Sequence, residues 1–117
     1  MANAVRIMRC DNIVKRIDEL ADIVKREIEA DADLVYERSR ELGTATVVLL
    51  SFEQFYLRNG SYASLNIMLT EMEGTQTADI IGSGGGDGLF NFSWGANSSF
   101  ANRAAIILGQ HGYIEVD

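Results

Sequence analysis

The first strong pattern along the chain is a helical one. Apolar residues recur at steps of three or four, which is the spacing of one face of an α-helix. Asp11 or Asn12 can cap its start, and charged side chains occupy the opposite face. The apolar positions are Ile13, Ile17, Leu20, Val24 and Ile28. We therefore predict a helix over about residues 12–30.

From residue 33 onward the pattern becomes that of β-strands. Residues 34–41 alternate loosely, and Gly43 separates them from residues 44–52. The second stretch is β-branched and almost continuously apolar, as in a central strand that is covered on both faces. The alternation indicates strands in place of a second long helix.

A hairpin is predicted next, because Asn59-Gly60 suits a two-residue turn with positive φ. Residues 62–72 then alternate between apolar and polar positions, as in a strand with one buried face. The apolar side is Leu65, Ile67 and Leu69, and the polar side is Ser64, Asn66 and Thr70. Gly74 ends this strand.

Shorter elements complete the pattern. Residues 4–10 fit an edge strand or an irregular lead-in, and residues 77–81 and 89–94 fit two further strands. The glycine run 82–88 would connect those two strands. A second helix is predicted over about residues 98–110, capped by Asn97, Ser98 or Ser99 and ended by Gly109 or Gly112.

These elements predict the α+β class, with an antiparallel sheet of about five strands and two helices, about 12–30 and 98–110, packed on one face. A chain of 117 residues is too short for two independent cores. We therefore treat residues 1–117 as one domain.

The stretch from about residue 52 to residue 107 resembles a family of small uncharacterised bacterial α+β proteins. The likeness rests on the Arg58-Asn59-Gly60 turn, the alternating strand that begins at Tyr62, the glycine run, and Trp94-Gly95 before a helix. The resemblance implies an order of strand, helix, antiparallel sheet and helix. It implies no activity.

Charge and composition exclude several classes of partner. The net charge is −7, and residues 59–117 hold six acids and a single base, Arg103. A nucleic-acid or anionic-membrane binder needs clustered cations, which this chain lacks, so neither partner is expected. A single cysteine, Cys10, and the absence of a recognisable secretion signal favour a cytoplasmic location.

The glycine run is the most unusual local feature, with five glycines in seven residues. It is not a phosphate loop, because no Lys-Ser/Thr follows Gly88, and a strand rather than a helix comes next. It is either a hairpin connection or a loop that gates a ligand or contacts a partner. The candidate ligand-binding residues are Tyr56, Asn66, Gly84, Gly85, Gly86, Asp87 and Trp94.

No catalytic or metal-binding constellation is visible. His111 is the only histidine, and no cysteine pair or His-x-x-x-His spacing is present, so we expect neither a metal nor a cofactor. An enzyme would have to use Glu53, Asp79, Asp87 or His111, and no spacing favours it. The catalytic residues stay unknown, and the sequence favours a protein that is not an enzyme.

The favoured hypothesis is a binding or assembly domain that acts as a homodimer. The near-continuous apolar run from Val47 to Phe52 needs cover on both faces of the sheet, and two helices can cover one. The alternative is a small-molecule binding protein with a cavity between sheet and helices, gated by residues 82–88.

Overall fold

A computed structural model describes residues 4–56, 60–84 and 96–116, which form two helices and a six-stranded antiparallel sheet. The strands are β1 (Val5–Cys10), β2 (Asp33–Leu42), β3 (Ala45–Tyr56), β4 (Ser61–Met72), β5 (Thr75–Gly84) and β6 (Ile114–Glu115). The helices are α1 (Ile17–Ile28) and α2 (Ala96–Gly109). The order across the sheet is β2-β3-β4-β5-β1-β6. The predicted α+β class, with two helices packed on an antiparallel sheet, is confirmed.

Tight turns connect the four long strands into a meander. Gly43, with φ of 63°, begins the two-residue turn between β2 and β3. Glu73 and Gly74 both have positive φ, 52° and 82°, as a type I′ turn between β4 and β5 requires. These turns fix the register, so every second residue of each strand points to the same face.

The predicted hairpin between β3 and β4 is confirmed, but its two-residue turn is wrong. Tyr56 pairs with Ser61, so four residues separate the paired strand ends. Gly60 does adopt positive φ, at 66°. The loop is longer because pairing stops before the Asn-Gly pair.

Helix α1 is shorter than the predicted 12–30, and neither predicted cap is correct. The helix begins after Arg16, whose backbone N–H donates to the Glu19 carboxylate at 3.2 Å. Asp11 instead accepts a hydrogen bond from the Arg9 guanidinium at 3.0 Å. The apolar spacing extends to Ile13, but the backbone becomes helical only from Ile17.

Helix α2 begins at Ala96, two residues before the predicted start. Asn97, Ser98 and Ser99 therefore lie inside its first turn, and their assignment as caps is wrong. Its end at Gly109 agrees with the prediction. Near its middle, Arg103 forms an ion pair with Asp31 at 2.7 Å, which connects α2 to the segment after α1.

Strand β1 is confirmed as a strand, but it is not at the edge. The short strand β6 pairs with Met8 and Arg9 on its outer side, while β5 pairs along its inner side. The Arg6 side chain forms an ion pair with Glu115 and donates to Asn102 of α2 at 2.9 Å. This pairing holds the pKa of the Glu115 carboxyl below its usual range.

The core lies between the two helices and the sheet face that they cover. On that face β3 contributes Val48, Leu50 and Phe52, all at most 1% exposed. The other strands and the helices contribute the remaining large buried side chains, including Leu20, Val24, Ile28, Leu65, Ile67, Leu69, Ile80, Phe100 and Leu108. The predicted buried stripe of residues 65, 67 and 69 is confirmed.

Candidate functional site

The opposite face of the sheet is open and apolar. Both helices lie on the covered face. The side chains that point to the opposite face therefore have no layer above them in the part of the chain that the structure describes. Nine large hydrophobic side chains on this open face are at least 40% exposed: Val5, Ile7, Tyr36, Leu42, Phe55, Tyr62, Met68, Met72 and Ile81. Val47 and Leu49 lie among them, partly buried by their neighbours.

Polar groups on the open face fall into two kinds. Some are already hydrogen-bonded within the sheet: Ser51 Oγ donates to Asn66 Oδ1 at 2.5 Å across β3 and β4. Others are not. Arg38 on β2 and Asp79 on β5 have no hydrogen-bond or ion-pair partner among the described residues. Arg38 and Asp79 are thus a cation and an anion, three strands apart, that are available to a partner. The open face also carries the exposed Arg40 and Glu53 in other rows.

The covered face contains a buried polar network near the start of β5, which the sequence did not reveal. Tyr113 Oη donates to Gln76 Oε1 at 2.7 Å. Gln76 Nε2 donates in turn to Glu71 Oε1 and to the Lys15 backbone carbonyl, each at 2.8 Å. Gln76 is 2% exposed and Tyr113 4%.

Burial is the main cause that raises the pKa of the Tyr113 phenol far above its usual value, with smaller effects from Cys10 and Glu71. Tyr113 therefore stays a neutral donor. Every polar atom of the Gln76 amide has a partner, so this network is structural and offers no free group to a ligand.

Comparison with known proteins gives a family and no activity. Residues 1–112 match the model of a family of unknown function, DUF6054. The chain belongs to this family. The match extends the likeness inferred from residues 52–107 over nearly the whole chain, and the expectation of a domain of unknown function is confirmed. No curated protein matches the chain.

The predicted ligand-binding residues of this DUF6054 member do not form one site where the structure describes them. Asn66 lies on the open face, in the middle of β4. The backbone of Tyr56 lies at the end of β3, opposite Ser61. Gly84 ends β5. The others, Gly85, Gly86, Asp87 and Trp94, lie outside the described residues, as does the predicted strand 89–94.

The interpretation of 82–88 as one connection is wrong for its first part. Gly82, Ser83 and Gly84 belong to β5 and pair with Leu65, Ser64 and Ala63. Gly82 is buried, on the covered face of the sheet. The first glycine thus serves the sheet, and any gating loop would begin after Gly84.

We predict that Gly84→Ala destabilises the β4–β5 pairing more than Gly43→Ala does. Both glycines have positive φ, 80° and 63°, which costs an alanine about 1–2 kcal/mol. At Gly84 the added Cβ would also lie 2.6 Å from the Tyr62 carbonyl oxygen, while at Gly43 nothing lies within 4 Å. Urea denaturation of both variants measures the difference. Equal losses would contradict the close approach at Gly84.

The acids and the histidine that an enzyme would need are separated in this family member. Glu53 lies on the open face of β3, and Asp79 lies on the same face of β5. The row that contains Ser51 and Asn66 runs between their two positions. His111 lies in the turn after α2, and Asp87 lies outside the described residues. The described residues bring no two of these groups together.

The clefts formed by the described residues open at the surface. One of them has a volume of about 480 Å³ beside the start of α1, and its lining includes Arg16, Asp18, Arg40, Glu41 and Glu71. The guanidinium of Arg16 is already paired with Asp18 at 2.5 Å. Between sheet and helices, side chains such as Phe52 and Phe100 fill the interior. The small-molecule alternative stays a prediction that depends on residues 85–95.

Two further observations bear on the class of protein. Among residues 4–56, 60–84 and 96–116, no group of three or more histidine, cysteine or acidic side chains converges as a metal site would require. Within the same residues, neither helix is long and apolar enough to cross a membrane.

Proposed function

We propose that this chain is a non-catalytic assembly domain that forms a homodimer, in which a second copy covers the open face of the sheet. The observation that carries this proposal is the concentration of exposed apolar side chains on one face. Nine large hydrophobic residues lie there, and the helices cover only the opposite face. Contiguous apolar surface of this kind is rare on monomers and typical of interaction sites.

The dimensions of the open face suit a stable dimer. β2 to β5 are 10, 12, 12 and 10 residues long. With strands about 4.8 Å apart and a rise of about 3.4 Å per residue, they span roughly 19 Å by 34–41 Å. An interface of standard size buries about 800 Å² per partner. The flat area of these four strands, about 650–780 Å², comes close to that value, and β1 beside β5 adds to it.

Sheet-on-sheet packing also explains the sequence of β3. Val47 and Leu49 alternate with the buried Val48 and Leu50 and face the opposite side. A strand at a solvated face would carry polar residues at those two positions. In the proposed dimer both sets of apolar residues are buried, as in the two layers of a β-sandwich.

Light scattering coupled to size exclusion tests the proposal. At about 10 μM the wild-type chain, of 12.9 kDa, is expected to elute with about twice that mass. Met68→Lys places a charge in the middle of the open face, beside Asp79 of the same chain. It is expected to weaken dimerisation by at least about 100-fold, because two lysine side chains would have to lose their water at the interface in place of two methionines.

Ile106→Lys is the matched control, because Ile106 is 53% exposed on the outer side of α2, away from the open face. It is expected to leave the dimer intact. A wild-type chain that stays at 12.9 kDa at 100 μM would overturn the proposal. Loss of the dimer in both lysine variants would overturn the assignment of the interface to the sheet.

A further inference from the structure

Four residues in one row across the open face are arranged symmetrically. The two outer residues carry opposite charges, and the two inner residues are apolar. The register places Arg38 of β2 beside Leu49 of β3, Leu49 beside Met68 of β4, and Met68 beside Asp79 of β5. Over β2 to β5 the row therefore runs cation, apolar, apolar, anion, and Ile7 of β1 continues it beside Asp79. The midpoint of the four residues of β2 to β5 lies between β3 and β4.

We propose that the two-fold axis of the dimer runs parallel to the strands, between β3 and β4, so that Arg38 faces Asp79 of the partner subunit. This inference rests on the proposed homodimer and specifies its geometry. A two-fold axis in the plane between two stacked sheets reverses the strand order, so β2 lies over β5 and β3 over β4. The contact of Arg38 with Asp79 then occurs twice per dimer, once for each Arg38, and Leu49 meets Met68 of the partner subunit.

The neighbouring rows are compatible with the same axis. On one side, Arg40, Val47, Thr70 and Thr77 form a row whose reversal places Arg40 over the partner's Thr77. On the other side, the row consists of Tyr36, Ser51, Asn66 and Ile81, so reversal places Tyr36 over the partner's Ile81. It also places the hydrogen-bonded Ser51 and Asn66 over the same pair in the partner. None of these pairings brings like charges together.

Two other placements of the axis leave these charges uncompensated. An axis along β4 would place Asp79 over the partner's Leu49, which buries a carboxylate without a cation. An axis perpendicular to the strands, through this row, would place Arg38 over Arg38 and Asp79 over Asp79. Because like charges across an interface are strongly disfavoured, the reversed row selects the axis between β3 and β4.

The distances allow the pairing. Packed sheets lie about 10 Å apart, and their strands cross at about 30°. At β2 and β5, about 7 Å from the axis, that angle displaces opposing residues by only a few ångströms, which a long arginine side chain spans. Neither Arg38 nor Asp79 has a competing partner among the described residues.

Charge-reversed variants test this axis. Arg38→Glu alone places two acids opposite each other at both contacts, and Asp79→Lys alone does the same with two bases. Each variant is expected to dimerise roughly 100-fold more weakly than the wild type. In an equimolar mixture of the two, one contact becomes Glu with Lys and the other Asp with Arg, so a heterodimer of near wild-type affinity is expected.

The double variant R38E/D79K restores both contacts within one chain and is expected to form a homodimer, which also shows that the substituted chain folds. Arg26→Glu is the control for net charge, because Arg26 is exposed on α1, away from the open face. A mixture of Arg26→Glu with Asp79→Lys keeps one contact of Asp79 with Arg38 and places Arg38 opposite a lysine at the other, so its heterodimer is expected to be roughly 10-fold weaker than that of Arg38→Glu with Asp79→Lys.

The readout is sedimentation velocity with one variant labelled by a fluorophore, so that the heterodimer is distinguished from homodimers. A mixture of Arg38→Glu and Asp79→Lys that associates no better than either variant alone would overturn the proposed axis. If the wild type is still a dimer that Met68→Lys dissociates, the homodimer itself stands. A wild type that is monomeric throughout would overturn both.

Discussion

Phe52→Ala is expected to lower the free energy of unfolding by about 3–5 kcal/mol, the usual cost of deleting a fully buried phenyl ring. Phe52 is 0% exposed, on the covered face of β3. Its strand neighbours on that face are Leu34 and Leu65, so truncation leaves a cavity with apolar walls. Urea denaturation in a Met68→Lys background measures the loss without a contribution from dimer dissociation.

Phe55→Ala is the matched control, because it removes the same side chain from the open face of the same strand. Phe55 is 45% exposed and contacts the Tyr62 ring, with the ring centroids 5.0 Å apart. In the monomeric background its loss is expected to cost less than about 1.5 kcal/mol, the upper range for an aromatic pair. Similar losses for the two variants would show that the two faces of β3 are wrongly assigned.

The covered face was predictable because its signal is local. Alternation at Leu65, Ile67 and Leu69 identifies the buried side of β4 from the sequence alone, and the structure confirms it. The spacing of Ile17, Leu20, Val24 and Ile28 likewise identifies the buried stripe of α1. In both elements the period of the backbone determines which residues share a face, so no long-range information is needed.

The element ends and the last strand depend on contacts that are distant in sequence. Ile114 and Glu115 form β6 only because Met8 and Arg9 offer a free edge more than 100 residues earlier. Two residues carry too little pattern to be recognised as a strand. The start of α1 has the same origin: Lys15, just before Arg16, offers its carbonyl to Gln76, which fixes the chain ahead of the helix.

The apolar character of the open face could be predicted from the sequence, but the arrangement of its charges could not. The near-continuous apolar run from Val47 to Phe52 predicts that β3 needs cover on both sides, and the homodimer hypothesis rests on it. The pairing of Arg38 with Asp79 could not be seen, because 41 positions separate them. Only the registers of β2 with β3, β3 with β4 and β4 with β5 place them in one row.

The glycine run shows why composition alone misleads. Five glycines in seven residues suggest a single loop, yet Gly82 and Gly84 have different structural roles in β5. Gly82 is buried under the helices, while Gly84 takes positive φ next to the Tyr62 carbonyl. A glycine that is buried within a strand and one whose backbone takes positive φ are identical in the sequence.

Gln76→Leu is expected to destabilise the chain by about 2–4 kcal/mol, although leucine has a similar volume and is more apolar. The substitution leaves the Tyr113 hydroxyl, the Glu71 carboxylate and the Lys15 carbonyl without their shared partner, and buried groups that lose a hydrogen bond cost about 1–3 kcal/mol each. Urea denaturation in the Met68→Lys background is again the measurement.

A double-mutant cycle separates lost hydrogen bonding from altered packing. Tyr113→Phe alone leaves Gln76 Oε1 unpaired and is expected to cost about 1–3 kcal/mol. Combined with Gln76→Leu it removes both partners of the same hydrogen bond, so the double variant is expected to lose at least about 1 kcal/mol less than the sum of the single losses. Additive losses would show that the two side chains stabilise the chain independently. Gln76 and Tyr113 would then not belong to one connected polar network.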